Sequence, residues 1–178
     1  MTVRVREATL ADVPAITALY AREVREGAAT YEYSAPDEVE MAARMQAVID
    51  NGFPYLVAEH DGVFAGYAYA SSYRGRVGYR WTVEDTVYVL PNLHGHGVGS
   101  ALLAHLIQQC EARGFRQMLA VVGESANGPS VALHEKFGFR TVGVFQGLGR
   151  KHGRWLDTVQ MQRALGSGNA DSPADNST

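Results

Sequence analysis

The segment Val87-Tyr88-Val89-Leu90-Pro91-Asn92-Leu93-His94-Gly95-His96-Gly97-Val98-Gly99-Ser100 constrains this chain more than any other. An apolar strand runs into three alternating glycines, and these open a helix. Glycine lets the backbone turn with positive φ and come close to a ligand. The free N–H groups of a helix start converge on one spot, where the helix dipole also favours negative charge. The pattern therefore predicts a pyrophosphate cradle built from backbone. A nucleotide P-loop would need Gly-x-x-x-x-Gly-Lys-Ser/Thr, and no lysine sits here. A dinucleotide fingerprint is met only loosely by Gly95, Gly97 and Ser100, and it should follow the first strand and lead into several more βα units. Taken alone, the run also reads as a tight turn before a helix.

A cradle of backbone amides suits the charge balance. Lys plus Arg is 16 against 19 for Asp plus Glu, a net charge of −3. Such a balance gives no electrostatic case for nucleic acid or an anionic membrane, so local groups must hold any anionic ligand. Hydrophobic residues at 46% and charged residues at 20% fit a soluble globular protein. No apolar run approaches a membrane span. Cys110 is the one cysteine. It excludes an internal disulfide, and a cytoplasmic location is expected. His94 and His96 are not followed by a third ligand, so no metal is assigned.

Val3 to Glu7 alternates like a first strand, not like a signal-peptide core. Thr9 to Asp12 has capping-box spacing, and Val13, Ile16 and Tyr20 follow at helical spacing. Ser34 to Asp37 repeats the capping pattern before Met41, Met45, Val48 and Ile49, with a stop near Asn51-Gly52. Tyr55 to Glu59 and Val63 to Ser71 form a hairpin through His60-Asp61-Gly62. Trp81 to Leu90 is a third strand, Gly99 to Ala112 a helix, Gln117 to Val122 a buried parallel strand, and Pro129 to Phe137 a short helix. Arg140 to Phe145 and Trp155 to Gln162 are two closing strands. The order gives a mixed α/β sheet in a single domain over residues 1–165. Residues 166–178, rich in Gly, Ser, Asn, Asp and Pro, read as a flexible tail.

His94-x-x-Gly97-x-Gly99 resembles the Gln/Arg-x-x-Gly-x-Gly/Ala signature of the GNAT superfamily of acetyl-CoA-dependent N-acetyltransferases, with His in the first position. A second signature, an Asn before a short helix ending in Gly-Phe, appears from Asn127 to Phe139. Three further stretches run Trp81 to Val89, Pro129 to Glu135, and Lys151-His152-Gly153-x-Trp155-x-Asp157. These look like the phosphinothricin and methionine sulfoximine acetyltransferases, a likeness covering Val3 to Leu165.

The resemblance implies a GNAT-type, mostly antiparallel central sheet flanked by helices, with acetyl-CoA as co-substrate and no metal. It places the pantetheine arm on Val87, Tyr88 and Val89, with a bulge in that strand freeing an oxyanion-hole N–H. It places the pyrophosphate on His94, Gly95, His96, Gly97, Val98, Gly99 and Ser100, and further cofactor contacts on Asn127 and Ser130. Glu84 becomes the general base. An unperturbed Glu, with a pKa of ~4.3, is a poor base for an amine. Glu84 must therefore be raised by burial, act through water, or mainly hold the ammonium. His134 stands where many relatives carry a Tyr general acid, and it also reads as a packed helix histidine. Arg74, Arg76 and Tyr79 would bind the acceptor's acidic groups, with Tyr31 and Glu32 lining the same pocket, although the Arg run also reads as a solvated basic loop. Cys110 reads as a packed small hydrophobe, so direct transfer in a ternary complex is expected. A homodimer that completes each pocket is implied, with Trp155 as an interface anchor or a core residue.

The leading reading is an acetyltransferase for phosphinothricin, methionine sulfoximine, methionine sulfone or a related amino acid. A GNAT enzyme for an aminoglycoside, a polyamine or a protein N-terminus is the second. A catalytically inactive CoA-binding sensor is the third, and a dinucleotide-dependent oxidoreductase is disfavoured by chain order.

Overall fold

Strands β4 (Thr82–Val89) and β5 (Gln117–Gly123) run parallel, yet they pair only at Thr82, Val83 and Glu84 with Gln117, Met118 and Leu119. Beyond Glu84 they diverge. Their other partners stay regular: β4 pairs antiparallel with β3 (Val63–Ser72) from Ser72↔Val83 to Gly66↔Val89, and β5 pairs antiparallel with β7 (Arg154–Ala164). A computed structural model describes residues 2–123 and 128–173. Among these, the sheet order is β1-β2-β3-β4-β5-β7-β6, with β1 at Val3–Glu7, β2 at Tyr55–His60 and β6 at Arg140–Lys151. The β4–β5 contact is the parallel step in an otherwise antiparallel sheet.

Helices cover both faces. Helices α1 (Val13–Glu26) and α2 (Glu38–Asp50) lie on one face, over Tyr55, Val57 and Tyr67. Helix α3 (Val98–Ala112) lies on the other, where Leu102, Leu103 and Leu106 are fully buried against Ala68, Ala70, Val83 and Met118. Each such leucine contributes ~1.5–3 kcal/mol by leaving water. Helix α4 (Gly128–Lys136) follows β5 on the α3 side, with Val131 and Leu133 packed against that core.

Local chemistry explains the boundaries. Asp12 accepts from the Thr9 amide at 2.8 Å and from both Arg6 terminal nitrogens at 2.7 and 2.8 Å, which fixes the entry to α1. The second cap is Asp37, not Ser34: its carboxylate accepts from the Glu40 amide at 2.8 Å. The closing hairpin is longer than the sequence pattern predicts. Gly143, Gly147 and Gly149 break the alternation, yet the strand continues past two register shifts to a tight turn at His152-Gly153. Asp157 supports the second shift by accepting from the Gly147 amide at 2.8 Å. The expected loose tail is pinned at its start: Glu111 accepts from the Gly166 amide at 3.3 Å, and Arg116 pairs with Asp171 at 2.7 Å.

Candidate active site

The divergence of β4 from β5 opens a cavity of about 300 Å³ that reaches through the sheet. Strand alternation sorts its walls. Glu84, Thr86 and Tyr88 face the α1–α2 side, where Tyr20, Thr30, Tyr31 and Tyr69 complete the wall. Asp85 and Val87 face the α3–α4 side, where Ser130 and His134 complete it. Among the described residues, the gap also leaves one backbone edge of β4 beyond Glu84 without a strand partner. The expected bulge is absent, because the β3–β4 register is unbroken. The parting of the strands instead turns that edge of β4 toward the cavity.

Two titratable groups flank this gap. Glu84 is half-buried, and burial pushes its carboxyl above the ordinary carboxylate range, with the neighbouring Asp85 charge adding to the rise. His134 is 5% exposed and is held at both nitrogens. Nδ1 donates to the Ser130 carbonyl at 2.7 Å, and Nε2 meets Asp85 Oδ2 at 3.1 Å. Burial pulls the imidazole down, but the hydrogen bond and charge of Asp85 outweigh it, so the net shift is upward. The Phe139 ring stands edge-on to His134 at 5.0 Å.

At the end of β4 the chain makes a short turn at Pro91–Leu93 and enters α3 through Gly95 (φ +79°) and Gly97 (φ +83°). A side chain at Gly97 would be strained there, and Gly97 occupies the N-cap. Gly99 is helical instead. Its missing Cβ admits Leu133, whose Cδ2 would lie 3.3 Å away. Val98 buries its side chain in the core and leaves the helix end open. The amides of His94 and His96 turn inward to the carbonyls of Pro91 and Leu93, and the His94 ring bonds the Val89 carbonyl at 3.1 Å. His96 stands edge-on to His60. Lys136, from α4, donates to Ser100 Oγ at 3.3 Å and so brings a cation to this helix start.

The acceptor-side residues divide. Tyr31 lies against Gly149, where a Cβ would come within 2.6 Å of its ring, and near Gly123, where a Cβ would meet the Ala28 carbonyl at 2.6 Å. These two glycines make the slot that admits Tyr31 to the cavity wall. Glu32 belongs elsewhere: it accepts from Arg44 at 2.7 Å and from the Tyr20 hydroxyl at 3.0 Å, and it lines a neighbouring pocket of about 100 Å³. Arg74, Arg76 and Tyr79 do not enter the cavity. They lie in the exposed β3–β4 connection, where Arg74 covers Tyr73 and Tyr79 meets the Tyr73 ring edge-on. Asn127 lies outside the described residues.

Sequence reasoning missed three contributors. Asp85 pairs with a histidine 49 positions away, which no local spacing announces. Lys136 was hidden within the short-helix motif. Lys151 is 2% exposed and donates to the carbonyls of Glu23 at 3.1 Å and Thr30 at 2.6 Å. It clamps the loop bearing Tyr31 to the hairpin tip, and His152 grips the Gly27 carbonyl at 3.0 Å beside it. Burial holds the Lys151 amine below its ordinary value. Its place in a Lys-His-Gly turn was the available signal. Among the described residues, no group of three His, Cys, Asp or Glu side chains is placed to hold a metal, and no helix is long and apolar enough to cross a membrane.

Residues 15–139 match the Acetyltransferase (GNAT) family. The chain belongs to the GNAT acetyltransferase family. It is an N-acetyltransferase, and acetyl-CoA is its acyl donor. It is 52% identical over 162 residues to a phosphinothricin N-acetyltransferase of Alcaligenes faecalis, an alignment covering 91% of this chain and 82% of that protein. It is 37% identical to an L-methionine sulfoximine/L-methionine sulfone acetyltransferase of Pseudomonas aeruginosa, covering 93% and 96%. Its fold superposes on the crystal structure of a GNAT superfamily phosphinothricin acetyltransferase from Sinorhizobium meliloti in complex with acetyl-CoA. That comparison has a TM-score of 0.95 and 47% identity, covering 99% of this chain and 95% of that one.

Proposed function

We propose that this GNAT enzyme transfers the acetyl group of acetyl-CoA directly to the α-amino group of a small amino-acid-like acceptor of the phosphinothricin, methionine sulfoximine or methionine sulfone type. One observation carries the reading: the gap between β4 and β5 opens to both faces of the sheet, with Glu84 on one and His134 on the other. The acceptor enters from the α1–α2 side. Coenzyme A lies on the α3–α4 side, its diphosphate at residues 94–100 and its pantetheine arm along Val87, Tyr88 and Val89, with Ser130 across the gap. Asn127 is assigned to the same ligand from the resemblance alone.

The amine nitrogen attacks the thioester carbonyl carbon. A C–N bond forms, and the carbonyl electron pair moves to oxygen, facing the unpaired edge amides of β4. A donor of that kind is typically worth ~3–4 kcal/mol to the transition state. The C–S bond then breaks and its electron pair leaves on sulfur, on the His134 side. Glu84 takes the amine's proton directly or through water, and its raised pKa brings it closer to that task. Cys110 plays no part as a nucleophile: it is fully buried in the core, and burial pushes its thiol up to about 12.

We also assign the exposed apolar face of the β6–β7 hairpin to a second copy of this chain. Val142, Val144, Phe145, Leu148 and Trp155 are 47–67% exposed there, more than a lone soluble surface usually groups together. Such a homodimer completes the acceptor pocket, the task assigned to Arg74, Arg76 and Tyr79. We place the reaction in the cytoplasm, where Cys110 stays reduced.

A thiol-release assay with acetyl-CoA against a panel of amines tests the function. Release with phosphinothricin and methionine sulfoximine, but not with an aminoglycoside or a peptide N-terminus, is expected. Release with an aminoglycoside or a peptide alone would move the chain to another acceptor class. Sedimentation at the monomer mass would remove the dimer.

A further inference from the structure

Asp85 is buried at 8% exposure, and its one described side-chain partner is His134. The hydrogen positions follow from chemistry. The Ser130 carbonyl can only accept, so Nδ1 carries a hydrogen. Nε2 and Oδ2 lie 3.1 Å apart and cannot face each other lone pair to lone pair without loss, so one proton lies between them. Among the described residues, the hydrogen bonds of the ring are these two. The neutral Cys110 thiol of α3 lies within electrostatic reach of Asp85, Ala120 and Val122 of β5 line the same cavity as His134, and Phe139 presents a ring edge. On α4, Lys136 reaches Ser100, and Glu135 is exposed. Glu84 projects to the opposite face of the sheet.

We infer that Asp85 is a positioning residue that keeps His134 doubly protonated on the leaving-group side of the sheet, as a tethered cation and not as a mobile proton donor. This rests on the reaction proposed above. Both N–H groups are committed, Nδ1 to Ser130 and Nε2 to Asp85, so neither points at sulfur. The ring's positive charge faces the cavity and stabilises the electron pair that collects on sulfur as the C–S bond breaks. No proton changes hands in that step, and the thiolate leaves with the pair. The upward shift of His134 agrees with this geometry.

The test has an arm that does not depend on turnover. Nitrogen-detected imidazole NMR of the resting wild-type enzyme at pH 8 should show both His134 nitrogens protonated. In Asp85→Asn only Nδ1 should remain protonated. A singly protonated His134 in the wild type would overturn the inference while leaving the acetyltransferase reading intact. In kinetics, Asp85→Asn should lower kcat by about 10²-fold with the KM for acetyl-CoA little changed. The same substitution in a His134→Asn background should lower kcat no further, because Asp85 acts through the ring. An equal additional loss in that background would show that Asp85 acts independently of His134 and would refute the assignment.

Discussion

Asp12, shortly after β1, and Glu84, within β4, are both shielded carboxylates, and the protein treats them oppositely. Arg6 and Thr9 surround Asp12 with donors, and the Arg6 hydrogen bonds hold its carboxyl below the usual range. Glu84 has a buried setting, a second carboxylate next in sequence, and a raised pKa. The first charge is consumed by the fold, and the second serves the acceptor amine in the reaction proposed above. The same division separates the two lysines. Lys151 spends its hydrogens on backbone carbonyls, whereas Lys136 reaches toward the open start of α3.

The largest expected effect sharpens this contrast. Glu84→Gln should lower kcat by about 10²–10⁴-fold. It should also stabilise the enzyme at pH 8 by about 0.5–2 kcal/mol in urea unfolding, the usual trade at a strained functional site. The sign follows from the raised pKa. Glu84 costs nothing below the ordinary carboxylate value, and its cost grows as pH rises through that value to the raised one. The variant's advantage should therefore fade on acidification. Unchanged turnover would end the role of Glu84 as base.

Asp12→Ala should do the reverse. We expect a loss of about 2–4 kcal/mol in urea unfolding at pH 7, with kcat within about twofold of wild type. The lowered pKa of Asp12 means that its contribution is fully present above the ordinary carboxylate value. It is lost as pH falls through the lowered value, so the deficit of the variant should shrink in acid. A large loss of kcat in this variant at full stability would break the comparison.

Lys151→Met keeps the apolar stem and removes the clamp on the Tyr31 loop. The acceptor KM should rise about tenfold, equivalent to ~1.4 kcal/mol, with the KM for acetyl-CoA unchanged. Lys136→Gln should do the opposite at smaller size. The KM for acetyl-CoA should rise about threefold at low salt, and the difference should vanish near 1 M salt, because an exposed charge is screened. If the two variants raised the same KM, the division between fold charges and ligand charges would fail.

How much of this was legible in the sequence follows from the range of each interaction. The strand, glycine turn and helix from Val87 to Ala112 were readable because each signal is local. The roles of the glycines were only partly readable: Gly95 and Gly97 take positive φ, whereas Gly99 admits Leu133. The β6–β7 hairpin was read too short because Gly143, Gly147 and Gly149 interrupt its alternation while backbone pairing carries on. The divergence of β4 from β5 had no local signal, since the pairing ends at Glu84↔Leu119 while each strand keeps its regular pairing with its other neighbour. The cavity walls were accordingly half visible. Glu84, Tyr31 and His134 were named, whereas the Asp85 and Lys151 contacts join residues 49 and 121 positions from their partners.

The most direct test of the whole account is a crystal structure of this enzyme with coenzyme A and its acceptor bound. It should show the thioester or thiol lying between Asp85–Val89 and Ala120–Gly123, the diphosphate against residues 94–100, and the acceptor amine on the Glu84 face. Coenzyme A seated outside the parted strands, or an acceptor amine on the His134 face, would contradict it.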